Sequence, residues 1–166
     1  MEIRFKGFPV TLLGKPLQPG NAMPNFTVMD TSLREVRGSS LSGTRVFLSV
    51  PSLDTGVCDQ EVRRFNKEAE SMPGVSVYAV SMDLPFAQAR WCGGAGVSQV
   101  FTLSDYKDRS FGTATGTLIR ELGLLTRAVF VVDSSGTVAY AEYVPEISEH
   151  PRYEEALRAL KSMEVS

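Results

Sequence analysis

Residues 45–50 (RVFLSV) form a short apolar, β-branched run that stops at Pro51, and a second such run, VSVYAV, occupies residues 75–80. Between them apolar side chains recur at Cys58, Val62, Phe65, Ala69 and Met72, while Glu61, Arg63, Arg64, Lys67 and Glu68 take the other positions. Steps of four, three, four and three are the period of an amphipathic helix, and Pro73-Gly74 ends it. Two buried strands joined by such a helix pair in parallel through a right-handed crossover. This one unit confines the chain to the α/β class and assigns the charged positions of the helix, Glu61 among them, to its solvent side.

The remaining punctuation orders the other elements. Residues 3–5 and 10–13 read as the arms of an N-terminal hairpin, residues 26–30 as a short strand, and residues 85–91 as a short helix. Residues 128–132 and 137–144 flank Asp133-Ser134-Ser135-Gly136, a strong hairpin signal, and residues 153–161 read as a terminal helix. Strand-helix-strand, hairpin, helix is the order of a thioredoxin-like α/β sandwich. No repeat or long linker interrupts the chain, so residues 1–166 are expected to form one domain.

Composition narrows the function. Hydrophobic residues make up 43% and charged residues 22%, the net charge is −2, and no basic stripe is interleaved with aromatics. Neither a nucleic-acid partner nor a membrane is expected. The start, MEIRFKGF, carries charges with no apolar core behind them, which points to the cytoplasm. In a reducing compartment two cysteines are better explained by chemistry than by a stabilising crosslink. With Cys58, Cys92 and the single His150, a four-ligand zinc site would need a carboxylate, so neither a metal nor another cofactor is expected. His150 sits in SEHPRY, before the last helix, and reads as a loop residue rather than a general base.

The segment PSLDTGVC spaces Pro51, Thr55 and Cys58 as Pro-x-x-x-Thr-x-x-Cys, after a buried strand and at a helix start. Unpaired N–H groups and the helix dipole there favour a thiolate, the form of sulfur that acts as a nucleophile, whereas Asp54, Asp59 and Glu61 oppose it. A cation from elsewhere in the chain would settle the balance. The Thr55 hydroxyl suits capping the helix and donating toward the sulfur or a peroxide oxygen, and Pro51, which lacks an N–H, fixes the shielding loop. Taken singly, each has an ordinary explanation: a small core residue, a cap, a strand terminator.

Together with VRRFN after Cys58, LPFAQARWCG around Cys92, Arg127 in TRAVFVVD and the ending around Tyr153-Glu154-Glu155-Ala156-Leu157, these residues resemble the peroxiredoxins, and within them the bacterial thiol peroxidases of the atypical two-cysteine type. The resemblance spans nearly the whole chain without departure at a functional position. It implies that Cys58 is the peroxidatic cysteine, that Thr55 and Arg127 activate it, and that Cys92 resolves the oxidised sulfur within the same chain. It also implies recycling by thioredoxin, a homodimer and a role in antioxidant defence. The position five after Cys58 is Arg63 and the tail KSMEVS holds no cysteine, so Cys92, 34 positions along, is the remaining second sulfur.

A disulfide needs Cα atoms within about 7 Å, so local unwinding around both cysteines is expected on oxidation. Gly93, Gly94 and Gly96 ease it, and Trp91 is placed to report it. Leu53 and Phe86 are expected near the site, favouring organic hydroperoxides, and Gln88 is expected on the helix surface. Three other readings compete. A redox-sensing module would use the same disulfide as a switch, a disulfide oxidoreductase would need a Cys-x-x-Cys pair where position 55 is Thr, and a purely structural domain would be indifferent to both cysteines.

Overall fold

In a computed structural model, which describes residues 1–164, the sheet at the centre has seven strands. In chain order the strands are β1 (Ile3–Phe5), β2 (Phe8–Val10), β3 (Leu12–Leu13), β4 (Thr27–Met29), β5 (Glu35–Arg37), β6 (Thr44–Ser49), β7 (Val75–Ser81), β8 (Val100–Ser104), β9 (Leu118–Ile119), β10 (Ala128–Val132) and β11 (Val138–Tyr143). The helices are α1 (Gly56–Glu70), α2 (Pro85–Ala95), α3 (Ser110–Thr115) and α4 (Tyr153–Glu164). The large sheet runs β11-β10-β6-β7-β8-β4-β5, with β6, β7 and β8 parallel and β10 and β4 antiparallel beside them. No helix among the described residues is long and apolar enough to cross a membrane.

Strands buried on both faces read as continuous apolar runs, and alternate residues of the central strands feed two cores. Val46, Leu48, Val77, Ala79, Val129 and Val131 pack beneath α1 and α4 with Val62, Phe65, Leu157 and Leu160. Phe47, Val80, Phe130 and Val132 face the other way, toward Phe26, Phe111, Leu118 and Leu125. Burying side chains such as Val62 and Phe65 contributes roughly 1.5–3 kcal/mol each, which fixes the rotation of α1 and hence the direction in which Cys58 points.

The sandwich expected from sequence is present, with three differences. The N-terminal hairpin closes earlier than read, pairing Ile3 with Val10 around Lys6-Gly7, and Leu12–Leu13 leave it to pair with Leu118–Ile119. The helix after Pro85 continues past Trp91 to Ala95, and Gly96 ends it in the left-handed region at φ 67°. Finally, β5, β8, β9 and α3 lie outside the periodic segments of the sequence; β8 is Val100–Ser104, VFTLS, whose Thr102 and Ser104 interrupt the apolar run.

Candidate active site

Three consecutive pieces of chain build the site. Strand β6 ends, buried Pro51 turns the chain, and the loop 51–55 is pinned from the segment just after β7. Asp83 does the pinning: its carboxylate accepts from the Ser52 hydroxyl at 2.7 Å, the Leu53 N–H at 2.9 Å and the Ser81 hydroxyl at 2.7 Å. Helix α1 then starts, with Thr55 as its N-cap and the first ladder bond running from the Asp59 N–H to the Thr55 carbonyl at 2.9 Å. The N–H groups of Gly56, Val57 and Cys58 therefore precede the ladder, and their partial positive charge surrounds the first turn.

Cys58 is fully buried in that turn. The Arg127 guanidinium reaches it from the residue before β10, with Nη2 donating to Sγ at 3.2 Å. Two further bonds hold the guanidinium: Nη1 donates to Glu61 Oε1 at 2.7 Å and Nε to the Ile147 carbonyl at 2.8 Å. Burial works against the Arg127 cation, but Glu61 and Cys58 beside it outweigh that and hold its pKa above the usual arginine value. At Glu61, which is wholly enclosed, burial prevails over the adjacent guanidinium and raises the pKa to about 7. The cation that faces the sulfur is Arg127, the residue that the family resemblance implied.

Two assignments are corrected here. Glu61 is not on the solvent side of α1; it is 0% exposed, because positions 58, 61 and 65 follow one another at spacings of three and four along a single face. That spacing was the signal available in the sequence, overridden by the usual exposure of glutamate. Gln88 is not a surface residue either: fully buried in α2, its Nε2 donates to the Ser81 hydroxyl at 3.1 Å and the Leu103 carbonyl at 2.9 Å. Asp83, which organises the loop, carried no signal beyond lying near the end of an apolar run.

Thr55 also differs from expectation. Its hydroxyl makes no capping bond and instead donates to the Ser52 carbonyl at 3.0 Å. With its proton so engaged, the oxygen retains its lone pairs as an acceptor. Thr55 and Pro51 line a cavity of about 310 Å³ next to Cys58, with Arg127, Phe5, Leu124 and Ile147 among the other lining residues. The apolar wall expected from Leu53 and Phe86 comes from these residues instead: Leu53 is buried in the core below α1, and Phe86 is 68% exposed on α2.

Cys92 stands apart from this group, with its sulfur 3.6 Å from the Thr102 hydroxyl of β8, and both cysteines are free. His150 is exposed, with Nδ1 2.6 Å from the Tyr153 hydroxyl, and does not line the cavity. Among the described residues no three His, Cys, Asp or Glu side chains are gathered as a metal site.

A thiol at the first turn of a helix, set after a central strand and faced by a buried arginine, defines a thiol-based redox protein of thioredoxin-like fold. Residues 18–157 match the Redoxin family model. The chain is 54% identical to the thiol peroxidase of Clostridium acetobutylicum, over 98% of this chain and 99% of that one, and 53% identical to the thiol peroxidase of Bacillus subtilis, over 98% of each. Among solved structures, a peroxiredoxin-like protein from Aquifex aeolicus superimposes with a TM-score of 0.91 at 41% identity, covering 98% of this chain and 96% of that one. The chain belongs to the Redoxin family, and its full-length likeness to thiol peroxidases makes peroxidase its enzyme class.

Proposed function

We propose that this peroxidase reduces alkyl hydroperoxides and hydrogen peroxide at Cys58, passes through a Cys58–Cys92 disulfide and is recycled by thioredoxin. The observation that carries the reading is the 3.2 Å contact from Arg127 Nη2 to Cys58 Sγ, with Glu61 and the Ile147 carbonyl fixing the guanidinium. A guanidinium so held stabilises negative charge at the sulfur before attack and on the departing oxygen during it, without reorganising.

In the first step the hydroperoxide enters the cavity between Phe5 and Leu124 with its O–H donating to Thr55 Oγ1. The Cys58 thiolate attacks the terminal oxygen in line with the O–O bond. An S–O bond forms and the O–O bond breaks. The alkoxide leaves and takes up a proton to become the alcohol, while sulfur, oxidised by two electrons, becomes sulfenic acid. In the second step the Cys92 sulfur attacks Cys58. The S–S bond forms, the S–O bond breaks, and the hydroxide leaves as water with the Cys92 proton. A dithiol reductant returns both thiols. Because Cys58 is fully covered, access to its sulfur requires movement of the cavity walls.

The apolar lining supports an organic substrate. The family resemblance supports thioredoxin as reductant, a homodimer and work in the cytoplasm as part of antioxidant defence. A coupled assay with cumene hydroperoxide, thioredoxin, its reductase and NADPH tests the reading. Wild type is expected to consume many equivalents per subunit, Cys58→Ser none, and Cys92→Ser to lose thioredoxin-dependent turnover after one stoichiometric oxidation. Unchanged turnover in Cys58→Ser would overturn it.

A further inference from the structure

The residues adjacent to the two cysteines are bonded to each other. Trp91, just before Cys92, donates its indole Nε1–H to Oδ1 of Asp59, just after Cys58, at 2.9 Å. The second carboxylate oxygen of Asp59 accepts from Arg63 Nε at 2.9 Å, one turn along α1. Arg63 in turn donates from Nη1 to the Ala95 carbonyl at the end of α2, at 3.2 Å, and its guanidinium lies 5.8 Å from the Trp91 ring centroid. One carboxylate and one guanidinium thus tie the last turns of α2 to the first turns of α1.

Little else holds that end of α2. Its buried residues, Pro85 and Gln88, are in the first half of the helix. Gly93 and Gly94 are exposed, and a Cβ at either would touch nothing within 4 Å. Trp91 is half-buried against the core, and Gln99, past the helix, is held by Asn66 Oδ1 at 2.6 Å. The sulfurs meanwhile face different parts of the sheet: Cys58 looks to Arg127 just before β10 and Cys92 to Thr102 on β8, and strands β10 and β8 lie three strand spacings, or about 14 Å, apart. A bond between them requires the start of α1 to unwind, which carries Asp59 away, or the end of α2 to lift, which carries Trp91 away. Either movement breaks the same hydrogen bond.

We propose that Asp59, Arg63 and Trp91 form a clasp whose release limits disulfide formation, making them positioning residues for the second chemical step and setting the lifetime of the Cys58 sulfenic acid. The inference rests on the Cys58–Cys92 reading. While the clasp is closed, the sulfenic acid stays in the pocket, exposed to a second hydroperoxide that would carry it to sulfinic acid, with the O–O bond breaking and another alcohol leaving. Clasp strength then divides the oxidised enzyme between recycling and inactivation.

Trp91→Phe keeps an aromatic ring against the core and removes the N–H. Arg63→Met removes the Ala95 and Asp59 bonds from an exposed position and serves where the first variant folds poorly. Reduced protein is mixed with one equivalent of hydrogen peroxide, quenched with an alkylating agent at successive times and weighed intact, so that sulfenic acid and disulfide are counted separately. Loss of one hydrogen bond from a neutral indole to a partly exposed carboxylate predicts a disulfide-forming rate about three- to tenfold faster in Trp91→Phe. The rate of the first step should be unchanged, and the peroxide dose giving half inactivation should rise by a similar factor. A merely structural role would not shift the second step against the first. A disulfide forming in both variants no faster than in wild type overturns the clasp alone. Sulfenic acid accumulating in wild type with no disulfide overturns the Cys58–Cys92 reading, and the clasp with it.

Discussion

Arg127 serves three acceptors at once, the Cys58 sulfur, a Glu61 oxygen and the Ile147 carbonyl, and only a planar fork of donors meets all three. Replacing it with Gln removes the charge facing the sulfur, and the peroxide reaction of Cys58 is expected to slow by about 10²–10³-fold, the usual cost of losing a preorganised electrostatic donor. Stopped-flow oxidation by hydrogen peroxide measures this, and a loss under about fivefold would remove Arg127 from the mechanism. Glu61 gives a prediction about stability. Its pKa rises from an ordinary 4.5 to about 7 on burial, so between those values the folded chain holds a proton that the unfolded chain releases. Its favourable contribution is complete at low pH and is lost as pH rises through 7. Against Glu61→Gln, which does not titrate, wild type is expected to lose about 3 kcal/mol between pH 4.5 and pH 7. Denaturant unfolding of both proteins across that range checks it, and an opposite slope would show that the ion pair outweighs burial.

At the scale of elements, legibility followed how much each segment carries its own reason to fold. The runs at β6, β7 and β10 and the stripe of α1 are specified by local apolar periodicity, and their places agree with the sequence reading. Strand β8 exists because Val77–Ser81 offers a parallel edge to Val100–Ser104, and β9 because Leu12–Leu13 pair with it across more than a hundred residues; neither cause is local. The site divides in the same way. Pro51, Thr55, Cys58 and Cys92 were visible in motifs, whereas Glu61, Gln88 and Asp83 take their roles from partners on other elements. Gln88 shows the consequence. Its amide serves Ser81 at the end of β7 and the Leu103 carbonyl of β8, so Gln88→Ala is expected to cost about 1–3 kcal/mol by leaving buried groups unpaired. A Gln88→Ala midpoint matching wild type in denaturant would assign those groups another partner. Phe65→Ala, which opens the core beneath α1, should cost more, about 3–5 kcal/mol.

Across the whole molecule, the chain's first residues form a wall of the cavity that its middle builds. Ile3 packs with Ile119 and Ile147, and Phe5 lines the cavity. The tip of the hairpin is held from 140 positions away: Glu146 accepts the Lys6 N–H at 3.2 Å and the Gly7 N–H at 2.8 Å, while Ser148 donates its N–H at 3.0 Å and its hydroxyl at 2.7 Å to the same carboxylate. The bonds from Ser148 first, then those from Gly7 and Lys6, hold the Glu146 pKa down to about 2. Lys6, at φ 51°, keeps a left-handed conformation that this anchorage stabilises. Glu146→Ala should free the tip and loosen Phe5 without touching Cys58 or Arg127. KM for cumene hydroperoxide is expected to rise about three- to tenfold, in keeping with the loss of about a kcal/mol of apolar contact, while efficiency with hydrogen peroxide, too small to reach Phe5, stays within about twofold. Because protonating Glu146 requires pH far below its ordinary value, wild type should show no such KM rise between pH 5 and pH 8. Parallel losses for both peroxides in Glu146→Ala would mean that the hairpin supports the thiol itself rather than the wall against which the substrate's alkyl group rests.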